Sequence, residues 1–87
     1  MKYVILNCES ISSRDELYDE LTRSLELPDY FGRNLDALHD VLGETECTLE
    51  VRNFDALREN LGRYALALRG MLEDSAEEYS RLTVIFK

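Results

Sequence analysis

Cysteine, proline and glycine are few in this sequence and basic residues are outnumbered by acidic ones, and each of these features excludes something. Two cysteines among 87 residues are too few for a disulfide framework. If Cys8 ends one strand and Cys47 begins a parallel one, the two lie at opposite sheet ends and cannot bridge. Both are therefore predicted to be reduced and partly buried. Four glycines and one proline leave little room for hinges, so a single domain over residues 1–87 is expected.

An excess of acidic over basic residues sets the charge. Ten Lys and Arg stand against eighteen Asp and Glu, which gives a formal net charge of −8. This balance argues against nucleic acid as the direct ligand, because phosphate contacts need cations. It favours a basic partner, although the same charge also serves solubility. The apolar run Tyr3–Leu6 is too short for a signal-peptide core or a membrane span, so a cytoplasmic location without membrane contact is expected.

Enzyme motifs are also lacking. The sequence has no phosphate-cradling glycine loop, no Cys-x-x-Cys and no His-Glu-x-x-His. Asp36, His39 and Asp40 have helical metal-ligand spacing, but without another His or Cys nearby this is a weak zinc or iron signal. Neither Cys8 nor Cys47 reaches His39 without an unexplained fold-back. We therefore expect no enzyme activity, no metal and no cofactor.

Three strand-like segments alternate with helical patterns along the chain. Apolar runs predict strands at Tyr3–Leu6 and Leu82–Phe86, each covered on both faces. The third, Thr48–Arg52, alternates polar and apolar residues, which predicts one wetter face. The order β-α-α-β-α-α-β indicates an α/β fold, with a small three-stranded parallel sheet flanked by about four helices.

The helices have recognisable ends. Ser13 and Glu16 match a capping box that begins a helix of about a dozen residues, which Pro28 stops. Asn34 is a candidate N-cap and Gly43 a candidate C′ residue for a second, two-turn helix. The second helix and the two that follow the middle strand are predicted at residues 35–42, 55–61 and 63–79.

The two-turn helix carries a polar face. Asp36, His39 and Asp40 are predicted to share one side of it, opposite its apolar residues. Asp36 lies in the first turn, where the helix dipole favours an anion. Asp40 lies near the last turn, where the dipole disfavours one by about 0.3–1 kcal/mol. Asp40 thus breaks a local rule, which marks it as a candidate functional residue.

Two aromatic residues and a glycine precede this helix. Tyr30 and Phe31, next to Gly32, have the character of recognition anchors, because aromatic residues dominate interface energetics. The alternative is that one or both rings cover the core, and for Phe31 both interpretations stay open. A second acidic group lies on the outward side of the long helix. It consists of Glu73, Asp74, Glu77 and Glu78.

The segment Leu27–Asp40 resembles the core signature of the barstar family, intracellular inhibitors of small secreted bacterial ribonucleases. The resemblance extends to the Ser-x-x-Glu helix start, to Leu49–Phe54 and to the closing strand Leu82–Phe86. It implies a three-stranded parallel sheet with helices around it. It also implies a 1:1 complex in which carboxylates mimic phosphate in the active site of a small basic ribonuclease, with a monomeric free protein.

Carried over by position, the resemblance gives roles to single residues. Asp40 matches the central acid placed where substrate phosphate would sit, and Asp36 matches its neighbour. Tyr30 matches an aromatic residue that packs over the cleft beside the catalytic histidine. Asn34 matches a contact at the helix start, and Asp74 a peripheral glutamate. The full set of expected partner-binding residues is Tyr30, Phe31, Gly32, Asn34, Asp36, His39, Asp40 and Asp74.

Several positions depart from the family pattern. His39 replaces a tryptophan, Phe31 replaces a tyrosine, Arg33 stands where an acid can occur, and the segment 43–47 is about two residues shorter. The alternative function is therefore a barstar-fold immunity or regulatory protein against a different nuclease toxin or basic partner. His39, flanked by Asp36 and Asp40, suggests that protonation near pH 6 weakens binding to a cationic cleft.

Overall fold

The computed structural model describes residues 2–87, and it confirms the predicted α/β class. Three parallel strands and four α-helices alternate along the chain. The chain order is β1 (Lys2–Asn7), a 3₁₀ turn (Cys8–Ser10), α1 (Arg14–Leu25), α2 (Leu35–Leu42), β2 (Cys47–Arg52), α3 (Phe54–Leu61), α4 (Arg63–Glu78) and β3 (Leu82–Phe86). Within the described residues, no helix is both long and apolar enough to cross a membrane.

The three strands form one sheet in the order β1-β2-β3, so β2 is central. All pairs are parallel. In β1 the side chains alternate between buried Val4 and Leu6 and exposed Tyr3 and Ile5. In β3 only Leu82 is fully buried. The prediction that both outer strands are covered on two faces is therefore wrong, because the apolar runs contain residues that solvent reaches.

The central strand differs from its prediction in the opposite direction. Residues Cys47 to Val51 are all buried, including the polar Thr48 and Glu50. The predicted wetter face of this strand is wrong, because the side chains around Glu50 shield it from water. Tyr3 donates a hydrogen bond to its carboxylate and Arg52 pairs with it. The Lys87 ammonium lies 3.5 Å away.

Helix ends follow local chemistry closely. Ser13 Oγ accepts a hydrogen bond from the Glu16 N–H at 3.1 Å, as the capping box predicts. The Glu16 carboxylate, however, accepts from the N–H of Ser12 at 2.9 Å, one residue before the N-cap. At the other end, α1 stops at Leu25, where Glu26 turns left-handed with φ of 55°. The turn at Glu26, rather than Pro28, ends this helix.

Both cysteines are free and buried, as predicted. Cys8 lies just after β1, and Cys47 begins β2, which pairs with the start of β1. Burial raises the pKa of the Cys8 thiol to about 11 and also raises that of Cys47. Both groups are therefore protonated at neutral pH and pack as small apolar side chains.

Candidate functional site

Asn34 fixes the start of α2. Its backbone is extended, and its Oδ1 accepts a hydrogen bond from the Ala37 N–H at 2.8 Å. Its Nδ2 donates to the Gly32 carbonyl at 3.1 Å. Both ends of the Asn34 amide are thus used inside the segment, and they hold the preceding loop against the helix.

The loop before α2 is tight and tethered. A Cβ on Gly32 would lie 3.2 Å from both Ala37 Cβ and Asn34 Nδ2, which explains a glycine at this close approach. Arg33 adopts a left-handed backbone with φ of 52°. Its guanidinium donates to the Asp15 carbonyl at 3.0 Å and to Asp19 Oδ1 at 2.9 Å, both on α1. The loop is therefore held by α1 as well as by α2.

Four of the predicted residues surround one cleft, which we call the aromatic–acid cleft. Tyr30, Phe31, Gly32 and Asp40 line it, and its volume is about 210 Å³. Tyr30 is 89% exposed, so its ring is free to pack on a partner. Phe31 lines the cleft and also packs on Tyr18, with ring centroids 6.0 Å apart. The other lining residues are Pro28, Ala37, Val41 and Glu44.

Asp36 lines a different depression, which we call the two-arginine groove. Its volume is about 610 Å³, and it lies where α1, the start of α2 and the start of α4 meet. Asp36 and Asp40 are both exposed and lie one turn apart on α2. The lining residues of the groove are Arg14, Asp15, Tyr18, Arg33, Asn34, Leu35, Asp36 and Tyr64.

The His39 ring, which the helical pattern predicts on the same side of α2 as Asp36 and Asp40, contacts the end of α4. Its Nδ1 lies 2.6 Å from Ser75 Oγ, and its Nε2 lies 3.1 Å from the Glu78 carboxylate and 3.0 Å from the Tyr79 hydroxyl. The ring also packs on Tyr79 at 5.0 Å between centroids. These contacts show that α4 packs against the edge of α2 that carries His39. The expected loss of binding near pH 6 stays a prediction, with Glu78 as the carboxylate that His39 contacts.

The end of α2 also packs on α4. Gly43 is the C-cap of the helix, with a right-handed backbone at φ −67°, so the prediction that it is a C′ residue, a position that is commonly left-handed, is wrong. A Cβ there would lie 2.7 Å from the Tyr79 ring, so space rather than backbone conformation requires the glycine. Asp74 is exposed on α4 directly before Ser75, the buried residue that contacts His39. Asp74 lines neither the aromatic–acid cleft nor the two-arginine groove.

Sequence reasoning missed Arg14 and Tyr64. The Arg14 guanidinium lies over the Tyr64 ring, 4.0 Å from its centroid, and both line the two-arginine groove. A signal was present, because Arg14 begins α1, where the helix dipole disfavours a cation. No group of three His, Cys, Asp or Glu side chains within residues 2–87 is arranged to hold a metal ion.

Comparison with known proteins agrees with this geometry. Residues 1–87 match the protein family described as Barstar (barnase inhibitor). The chain is also 35% identical over 81 residues to a Bacillus subtilis (strain 168) protein named Putative ribonuclease inhibitor YrdF. That match covers 90% of this chain and 89% of the relative. The fold, the cleft beside α2 and a match along the entire sequence lead to one conclusion: the chain belongs to the barstar family.

Proposed function

We propose that this protein inhibits a barnase-like secreted ribonuclease in the cytoplasm of the cell that makes it. It binds the enzyme 1:1 and occupies the active site with the carboxylates of α2. The observation that carries the proposal is the aromatic–acid cleft, which is lined by exposed Tyr30 and by exposed Asp40 of α2. The protein is not itself an enzyme in this account.

The chemistry of the cleft suits a phosphate mimic. A ribonuclease must hold anionic phosphates with cationic side chains, so its active site attracts carboxylates of similar spacing. Asp36 and Asp40 lie one turn apart on α2, whose N-terminus is capped and whose preceding loop is tied to α1. Because these contacts exist before binding, little conformational entropy is lost when the partner docks.

A second candidate is a barstar-fold immunity protein against a different nuclease toxin. The identity and contacts of His39 favour it, because this side chain is held by Ser75 and Glu78 of α4. The surface around His39 therefore differs in shape from that of the best-known family member, which has a tryptophan at this position. Both candidates use Asp40 against a basic partner, and they differ in which enzyme is inhibited.

The test is inhibition of RNA cleavage by a panel of small guanyl-specific bacterial ribonucleases. Wild type, Asp40→Asn and the control Glu59→Gln are compared at equal concentration. Glu59 is exposed on α3, outside the cleft, and its variant removes the same charge. We expect Asp40→Asn to weaken binding by about 2–5 kcal/mol. This is the general range for removing one partner of a buried interfacial charge pair, and complexes of this family are among the reference cases for it.

The outcomes separate the two candidates. Inhibition by wild type and Glu59→Gln that collapses in Asp40→Asn supports the proposal. Inhibition that survives in Asp40→Asn contradicts the role of the central acid. If wild type inhibits no enzyme of the panel, the proposed target class is wrong and the immunity candidate replaces it.

A further inference from the structure

We propose that the two-arginine groove receives an acidic side chain of the inhibited ribonuclease, held by Arg14 and Arg33. The inference rests on the proposed function and adds a specificity element to it. Beside the basic active site, the partner then carries an Asp or Glu that faces this groove. The groove thus selects among basic ribonucleases rather than attracting all of them.

The two guanidiniums are placed together by the fold. Arg14 lies 4.0 Å from the centroid of Tyr64, and Arg33 lies 6.0 Å from that of Tyr18. The hydroxyls of the two tyrosines are hydrogen-bonded to each other. Each guanidinium therefore lies over one ring of a hydrogen-bonded tyrosine pair, in a groove of about 610 Å³.

The positive potential of both arginines reaches the same point. Burial and the hydrogen bond with Tyr64 raise the pKa of the Tyr18 hydroxyl, whereas Arg14 and Arg33 both act in the lowering direction. An anion near this hydroxyl is attracted by both guanidiniums, against the repulsion of Asp15 and Asp36 in the groove lining and of Asp19, which pairs with Arg33. A carboxylate also matches the planar fork of a guanidinium, which donates two parallel hydrogen bonds to it.

The arginines differ in how they are held. Arg33 is fixed from behind by Asp19 and by the Asp15 carbonyl, through a single terminal nitrogen, Nη2. Its other N–H groups remain for a further acceptor. Arg14 stacks on the face of Tyr64, which orients the guanidinium while leaving its edge free to donate. The groove is thus pre-organised, and binding an acid there costs little ordering.

The groove adjoins the proposed binding face. It shares Asn34 and Asp36 with that face, so a partner seated on Asp36 and Asp40 also covers it. Asp15 and Asp36 also line the groove, so its two cations act locally, on the partner group that contacts the guanidiniums. Like charges placed together at an interface reject a partner, and opposite charges accept it. The complementary partner therefore has an acid at this position.

The experiment measures the Kd and the association rate with a ribonuclease that wild type inhibits, without RNA. Arg14→Glu and Arg33→Gln are each expected to raise Kd roughly tenfold. Long-range attraction alone predicts the opposite sign for Arg14→Glu, because the added negative charge speeds encounter with a basic enzyme. Glutamate also suits the first position of α1, so Tm is not expected to fall, which separates lost binding from lost folding.

Arg63→Glu is the matched control. Arg63 is exposed at the first position of α4 and does not line the groove, so the variant makes the same charge change at an equivalent helix position. Its Kd is expected to equal or fall below that of wild type. Recovery of Arg14→Glu binding by a ribonuclease with one acid changed to lysine would identify the paired residue.

Each outcome decides something. If Arg14→Glu and Arg33→Gln bind as tightly as Arg63→Glu while Asp40→Asn still fails, the groove inference is wrong and the proposed function stands. If wild type binds no ribonuclease, both are wrong. A higher Kd for the groove variants alone, at unchanged Tm, supports the inference.

Discussion

At the scale of single residues, Glu50 is the least expected feature of the molecule. It is a carboxylate with 2% exposure in the central strand. The pKa of Glu50 is lowered from 4.5 to about 2. The largest cause is the hydrogen bond from Tyr3, and Arg52 and Lys87 act in the same direction. Glu50 therefore stays ionised in the buried strand, since Tyr3, Arg52 and Lys87 all contact its carboxylate.

This pKa predicts how the fold responds to acid. Because the folded pKa of Glu50 lies below its unfolded value, ionised Glu50 stabilises the fold fully above pH 4.5 and loses this contribution as pH falls toward about 2. Thermal unfolding of wild type and Glu50→Gln between pH 6 and pH 2 tests this. The difference in Tm between them is expected to shrink across that window. Parallel curves, with Glu59→Gln as the control for lost charge, would contradict it.

Residue-level prediction from sequence worked where the signal was local. Asp40 stood out from its own helix, and Tyr30 from its neighbours, and both line the aromatic–acid cleft. The burial of Glu50 had no local signal, because its partner Tyr3 lies 47 residues away in sequence. A polar residue in a strand predicts an exposed face unless distant side chains cover it, and the pattern does not contain that information.

At the scale of elements, two glycines give a matched test of the α2–α4 contact. Gly43 faces the Tyr79 ring, and Tyr79 is itself held by His39. Gly43→Ala is expected to destabilise the fold by about 1–3 kcal/mol, because the methyl overpacks this contact. Gly70 lies inside α4 with open space around it, so Gly70→Ala is expected to stabilise by about 0.5–1 kcal/mol.

Denaturant unfolding of the two variants measures both values. Opposite shifts of the midpoint support the packing described here. A stabilising Gly43→Ala would show that Tyr79 moves freely and that the α2–α4 contact is loose.

The bounds of α2 were predictable, but its surroundings were not. Asn34 and the residues up to Leu42 define the helix through contacts within the segment, and the structure confirms residues 35–42. The contacts of His39 and the role of Gly43 depend on Ser75 and Tyr79 at the end of α4, which lie 36 and 40 residues after His39. Periodicity places a side chain on a helix face, but it does not say which other helix covers that face.

At the scale of the whole molecule, topology and net charge are the features that the sequence predicts best. The sheet of three parallel strands with four helices followed from the alternation of patterns, and the structure confirms it. The exposed side chains of β1 did not follow, because a four-residue apolar run looks the same whether one or two faces are covered. Net charge, by contrast, is fully given by composition.

The net charge of −8 predicts salt-sensitive association with a basic enzyme. The association rate constant is expected to fall steeply as salt rises toward 1 M, where the screening length is about 3 Å, while the dissociation rate changes little. Stopped-flow mixing at several salt concentrations measures both. An association rate that is independent of salt would show that the acidic surface does not steer the encounter.

The most direct measurement of the central claim is a titration of a small guanyl-specific ribonuclease with this protein, in the presence of a ligand bound at the enzyme's active site. The account predicts that one equivalent abolishes RNA cleavage and displaces the ligand, because the carboxylates of α2 occupy the same cationic site. A tight complex that leaves the active-site ligand in place would contradict it.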